Sequence, residues 1–449
     1  MQKYISIVLL GILCLNTYGQ IPLPTKEQVE WADCEIGAII HFDINVYEPS
    51  YQWRKQWDFN PDPEIFNPKQ LDTDQWVKSV KDMGGEYAVL VVKHCTGFCL
   101  WPTDAHDYSI KSSPWKNGQG DILKDFIKSC KKYNVRPGVY YSAAANGYFK
   151  VDNPGLVNSK DEKEQKAYNK MVEQQLTELY TNYGKFFEIW FDGGCLPPEK
   201  GGPDIVTLLH KHQPQAVVFQ GPEGTNSLIR WVGNERGVAP YPCWSTMHTT
   251  TSSGGDEEID RLHGNPDGPL WCPGEADFPI RHGGWQGGWF YHQKNTKHLM
   301  SLETLIEKYY TTAGRNTNML IGVVVDERGL VPEIDVKRMK EFGDEIKKRF
   351  DKPIKSIRGK GNELTIQLNK DKAINHIVLQ EDIAKGERIR SFEILTEKDG
   401  TWTSLFKGSC IGHKYIHHFE TMNVSAVKVK INKSVDEPII HNFSVYNIQ

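Results

Sequence analysis

The chain has no excess of basic charge. Its 53 Lys and Arg stand against 57 Asp and Glu over 449 residues, a formal net charge of −4. That balance does not neutralise a row of phosphates and argues against a nucleic-acid partner. No long apolar run follows residue 19, so nothing there reads as a membrane span. G-x-S-x-G is missing, which removes the nucleophile elbow of serine hydrolases. No glycine-rich phosphate loop follows an early strand, which leaves an open doubly wound sheet as the second choice of fold. The cysteines beyond residue 19 are scattered, unlike a small disulfide scaffold. Cys95 and Cys99 form a C-x3-C beside His94, but no second Cys/His pair has ligand spacing. Half a zinc site is not a site, so buried free thiols and no metal are expected.

What is present fits a globular protein of two domains. Hydrophobic residues make up 39% and charged residues 24%, and the length exceeds one ordinary core. Thirteen Trp offer flat faces for sugar rings and N–H donors for hydroxyls, although aromatic side chains also fill cores. Residues 1–19 read as a secretory signal: Lys3, an apolar Ile5–Leu15 stretch, then Thr17-Tyr18-Gly19 at the cleavage point. The expectation is a secreted or periplasmic protein. Cys14 raises a lipoprotein alternative, which Leu13 before it fits poorly.

Between about residues 30 and 350, short apolar runs alternate with helical patterns. The runs are Ile36–Phe42, Tyr87–His94, Arg136–Ser142, Phe187–Asp192, Ala216–Gly221, Leu228–Gly233, Pro269–Pro273 and Asn318–Val323. Helical stretches fall at Asp74–Met83, Gly120–Tyr133, Glu162–Tyr183, Pro203–Lys211, Leu302–Ala313 and Glu333–Phe350. None is evident between the fifth and sixth runs. This alternation predicts an α/β fold, a (β/α)8-like TIM barrel over 20–350. From Lys355 the pattern turns to period two, as in Leu364-Thr365-Ile366-Gln367-Leu368. That predicts a C-terminal antiparallel β-sandwich over 351–449.

Polar side chains at the ends of barrel strands face the active site. Here the runs end in or are followed by His41 and Asp43, Lys93-His94, Asp192, Glu235, and Glu275 with Asp277. Asp192 closes the apolar run Phe186-Phe187-Glu188-Ile189-Trp190-Phe191 and precedes Gly193-Gly194, which let the backbone turn away. Two carboxylates among His and Trp suit glycoside hydrolysis, in which one attacks or stabilises an oxocarbenium-like centre and the other protonates the leaving oxygen. The plainer reading of each is a helix cap or a satisfied polar end. Asp192 and Glu235 lie 43 residues apart (235 − 192 = 43), and spacing alone does not give the stereochemical outcome.

Several stretches together resemble the α-L-fucosidases of glycoside hydrolase family 29, especially the branch acting on α-1,3/1,4-linked fucose. They include Gly37-Ala38-Ile39-Ile40-His41-Phe42, Lys93-His94 with Gly97-Phe98-Cys99-Leu100-Trp101-Pro102, Trp190-Phe191-Asp192-Gly193, Arg230-Trp231-Val232-Gly233-Asn234-Glu235, Glu275-Ala276-Asp277 and Trp289-Phe290-Tyr291-His292. The resemblance implies retention through a glycosyl-enzyme, with Asp192 as nucleophile and Glu235 as general acid/base. It implies sugar contacts from His41, Gln52, Trp53, His94, Cys95, Trp190, Arg230 and Trp289, a fucosylated oligosaccharide as substrate, and no cofactor. Arg230 or Arg281 is expected to keep Asp192 ionised. The departures are local. The family usually has a second His at Cys95, an acid at Thr96, Gly at Asp43, Glu at Gln52, a Pro-Trp-Asp-Arg loop at Ala143–Asn146, and Asn at Gly322. These changes point to altered sugar specificity, with α-L-galactosides as the alternative substrate. A non-catalytic glycan binder on the same scaffold is the alternative from another class.

Overall fold

The computed structural model describes residues 21–233, 235–249 and 256–449. The secretory signal expected at 1–19 lies outside them. Eight strands close a parallel barrel: β1 (Ile36–His41), β2 (Tyr87–Lys93), β3 (Arg136–Tyr141), β4 (Glu188–Trp190), β5 (Val217–Phe219), β6 (Leu228–Val232), β7 (Gly274–Pro279) and β8 (Thr317–Val324). Each pairs with its neighbours in sequence, and β8 returns to β1. β1, β2, β7 and β8 are buried along their whole length, as strands covered on both faces must be.

The helices are α1 (Lys26–Ala32), α2 (Thr73–Asp82), α3 (Ile122–Tyr133), α4 (Glu162–Asn182), α5 (Ile205–His212), α6 (Asp256–His263), α7 (Leu302–Thr311) and α8 (Glu333–Phe350). Side-chain caps fix most of their starts: Asp72, Asp121, Asp161, Asp204 and Ser301 each accept from first-turn N–H groups. α1 plugs the barrel from its amino end. Trp31 is buried inside it and donates from Nε1 to Glu188 at 3.2 Å. As expected, no helix joins β5 to β6. None of the described helices is long and apolar enough to cross a membrane.

One strand was misplaced by the sequence reading. The seventh is Gly274–Pro279, not Pro269–Pro273. Within the expected run, Leu270–Trp271 instead pairs antiparallel with Thr246–Met247 in a two-stranded sheet within the β6–β7 connection. The true strand carries Glu275 and Asp277 at alternate positions facing the barrel interior, where indole and phenol donors meet them. Its polar residues hid it from a search for apolar runs.

The C-terminal sheet has six antiparallel strands: β9 (Lys355–Lys360), β10 (Glu363–Glu381), β11 (Ile389–Lys398), β12 (Thr401–Gly408), β13 (Tyr415–Ser434) and β14 (Ile439–Tyr446). The long β10 and β13 carry register shifts along their shared ladder. One end of β10 pairs with β14 and the other lies beside the part of β13 that pairs with β11. Ile377, Leu379, Phe443 and Val445 from the first half join Ile366, Val427, Val429 and Ile394 from the second in one core. The expected sandwich is therefore built from a single bent sheet.

Candidate active site

A small pocket opens at the carboxyl ends of the barrel strands. Ile39, His41, His94, Tyr140, Trp190, Asp192, Glu235, Asp277, Gln286, Trp289 and Phe290 line about 90 Å³ of free space. Alternation along the strands selects these residues. Ile39, Tyr140, Trp190 and Leu320 face inward and share one interior cluster. Asp192 follows β4 by two residues on the same parity as Trp190. The backbone then turns through Gly193 (φ +69°) and Gly194 (φ +79°), conformations that glycine adopts freely. A Cβ at Gly193 would also lie 2.6 Å from Asn153 Nδ2, so the Asn153 side chain would have to move aside.

The two expected carboxylates both line the pocket, each held by an aromatic donor. Tyr140 Oη donates to Asp192 Oδ2 at 2.7 Å. Trp289 Nε1 donates to Glu235 Oε2 at 3.1 Å. Glu235 itself sits at φ +59°, uncommon for a side chain-bearing residue and of the kind found at functional sites. Trp289 reaches the pocket because β8 carries Gly322; an added Cβ there would lie 2.4 Å from the indole. Gly322 thus leaves room for the ring.

The remaining walls are aromatic and imidazole. His94 stacks on Tyr140 (5.6 Å, 15°), and Tyr140 on Trp190 (5.3 Å, 19°). His41 lies 5.0 Å from Trp289 and 5.1 Å from Phe290. Burial holds both imidazoles below their ordinary pKa, His41 at about 3, so His41 is neutral at any working pH. Its buried Nδ1 has no hydrogen-bond partner of standard geometry among the described residues, which leaves it available to a ligand hydroxyl. Asp277 accepts from Trp231 Nε1 at 2.7 Å, and burial pushes its carboxyl well above the usual range. Its neutral form can donate a hydrogen bond to the pocket.

Beneath the pocket, Glu275 accepts from Tyr87 Oη (2.6 Å) and Trp190 Nε1 (2.9 Å). Glu188 lies against it, and burial raises both carboxyls. Glu188 Oε1 has no hydrogen-bond partner among the described residues; two raised, adjacent buried carboxyls are the arrangement that can hold one proton between them.

Four expected sugar contacts do not line this pocket. Gln52 is exposed, and Trp53 is half-buried on the short turn Trp53–Lys55, edge-on to Trp57 at 5.2 Å. Cys95 is buried just behind the wall, its Sγ 3.7 Å from Ser142 Oγ. Arg230 lies further off. Ile229 and Trp231 face the barrel interior, so Arg230 between them points outward. Its guanidinium donates to the carbonyls of Arg261 (2.8 Å), Trp244 (2.6 Å) and Cys272. It lines a larger neighbouring cavity of about 610 Å³, with Gly193, Gly194, Gln220, Trp231 and Arg261. Arg281 pairs with buried Asp335 through two bonds of 2.8 and 2.9 Å. Neither arginine is the expected partner of Asp192; Tyr140 takes that place. Tyr140, Gln286 and Phe290 went unassigned as site residues, although Tyr140 shares its strand face with the residues that lead to the pocket.

Thr96 and Asp43 are partners. Thr96 Oγ1 donates to both Asp43 oxygens, at 2.9 and 2.7 Å. The C-x3-C does not converge: Cys99 faces Gln175 and His106 instead.

Comparison with known proteins agrees with this geometry. The α-L-fucosidase family model matches residues 11–238. Alpha-L-fucosidase 1 of Arabidopsis thaliana is 30% identical across 95% of this chain and 88% of its own length. A Bacteroides thetaiotaomicron crystal structure assigned as an α-L-fucosidase superposes with a TM-score of 0.90 at 36% identity, covering 96% of this chain and all of that one. A Ruminococcus gnavus GH29 fucosidase solved with fucose superposes at 0.80 with 25% identity, over 95% of each chain. With a closed barrel, two carboxylates at its mouth and relatives of this extent, the chain belongs to the α-L-fucosidase family, glycoside hydrolase family 29.

Proposed function

We propose that Asp192 is the nucleophile and Glu235 the general acid/base of a retaining, exo-acting hydrolysis of terminal α-L-fucosyl residues. The observation that carries this is the shared pocket: both carboxylates line it, each fixed by one aromatic donor. In the first step Asp192 Oδ1, not engaged by Tyr140, attacks the anomeric carbon while Glu235 gives its proton to the leaving oxygen. In the second, Glu235 takes a proton from water, which displaces Asp192 and releases the sugar. His41 Nδ1 and the Asp277 carboxyl are placed to hold hydroxyls, and the stacked rings cover apolar faces of the sugar. The pocket is small beside the 610 Å³ cavity that begins at Gly193. This asymmetry suits one terminal sugar inside and the rest of the glycan outside.

The finer reading concerns specificity. Cys95 replaces an imidazole by a weaker hydrogen-bonding thiol behind His94, and Gly322 admits Trp289. We infer a sugar site altered from that of the α-1,3/1,4 branch, with α-L-galactosides as the competing substrates. Secretion follows from the Lys3–Gly19 pattern as part of this reading.

The test is sugar release from a panel of α-L-fucosylated and α-L-galactosylated oligosaccharides by the wild type and Asp192→Asn. Release by the wild type with retained anomeric configuration, lost by several orders of magnitude in the variant, is expected. Equal release by both would remove Asp192 from the reaction. The ratio between the two sugars decides specificity.

A further inference from the structure

We propose that His94, Cys95 and Asp192 form a binding site for a thiophilic divalent cation, Zn²⁺ being the best fit, and that the bound cation masks the nucleophile. Among the described residues, this is the one group of three His, Cys, Asp or Glu whose donor atoms converge, all lying within 4.8 Å of one another. Imidazole, thiolate and carboxylate are the three protein ligands zinc takes.

The donors are free to serve. Neither ring nitrogen of His94 has a hydrogen-bond partner among the described residues; the ring is held by stacking on Tyr140 and by the edge of Phe290 at 4.9 Å. Cys95 Sγ has one contact, Ser142 Oγ, at 3.7 Å. Asp192 uses Oδ2 for Tyr140 and keeps Oδ1. A tetrahedral zinc centre with bonds of about 2.0–2.3 Å holds its ligand atoms roughly 3.5 Å apart. The trio therefore closes by about 1 Å, within reach of side-chain rotation. The thiol proton passes to solvent on binding; Ser142 Oγ–H stays on the Ala145 carbonyl at 3.0 Å. His94 and Asp192 line the pocket, so a water from it can complete the shell. The soft ligand comes from this chain's own Cys95, where the family usually carries a second histidine.

Masking rests on Asp192 acting as the nucleophile; the cation site does not. The experiment separates the two. Full-length protein stripped with chelator is titrated with Zn²⁺ by calorimetry and with Co²⁺ by absorption. A sulfur-to-cobalt charge-transfer band in the near ultraviolet reports thiolate ligation without any turnover. One equivalent bound, the band present, and both lost or weakened at least tenfold in Cys95→Ser while Cys99→Ser keeps them, is the expected result. No binding at millimolar cation, or a band that survives Cys95→Ser, overturns the site. Zn²⁺ should also suppress sugar release reversibly, with activity restored by chelator. Stoichiometric binding without suppression overturns the masking.

Discussion

Tyr140 shows how much of the proposed chemistry rests on single side chains. Its hydroxyl meets Asp192 at 2.7 Å while its ring lies between His94 and Trp190. Tyr140→Phe keeps the stack and removes only the donor. A hydrogen bond to a charged group contributes about 1.5–3 kcal/mol, so kcat/KM on an aryl α-L-fucoside should fall about ten- to a hundredfold. The melting temperature should stay near that of the wild type, because the ring remains. An unchanged kcat/KM would reduce Tyr140 to a packing residue. The two carboxylates were legible in the sequence because each ends a strand-like run. Tyr140 was not, because Tyr on a strand is most simply read as core. Arg230 lines the larger cavity rather than the sugar pocket, a placement its parity against Trp231 carries and its motif does not.

Among the elements, β7 is the instructive one. Most barrel strands could be found as apolar runs because both their faces are buried. β7 could not, because its inner face carries Glu275 and Asp277, paid for by Tyr87, Trp190 and Trp231 donors supplied from other strands. No local pattern announces such partners. The strand also couples stability to pH. Burial raises Glu188, and it pushes Glu275 up to about 7, against about 4.3 for an unfolded Glu. Between those values the folded chain binds more protons than the unfolded one, so stability falls as pH rises through this window. Glu275→Gln loses an acceptor and should melt lower than the wild type at pH 5. It should also show a flatter decline from pH 5 to 8, since one titrating group is gone. Calorimetric melting of both proteins across that range checks this; parallel curves would mean the pair does not set the slope.

At the scale of the whole molecule, the C-terminal sheet and the pocket occupy opposite ends of the barrel. The sheet engages residues just before the strands begin: Glu35 ahead of β1 pairs with Lys414, and Arg315–Asn316 ahead of β8 meet Tyr415 and His413. Asn316 is the centre of this contact. Its Nδ2 donates to Glu387 (2.6 Å) and to the Cys243 carbonyl (2.9 Å), and its Oδ1 accepts from His413 N (2.6 Å). Glu387 in turn accepts from Ser245 N, and both side chains are buried. Buried polar contacts of this kind specify one docking arrangement and leave costly unpaired groups when one member is removed, about 1–3 kcal/mol for each. A buttress and a glycan-capturing module then differ in what Asn316→Ala does. If the sheet is a buttress, the variant melts several degrees lower while kcat/KM stays near the wild-type value on both an aryl fucoside and a large glycan, since the pocket lies at the far end. If the sheet captures glycans, loosening it weakens KM for the large substrate alone. The position of the contact before the first and last strands, away from Asp192 and Glu235, favours the first outcome. Melting curves and the two KM values measured on one preparation decide between them.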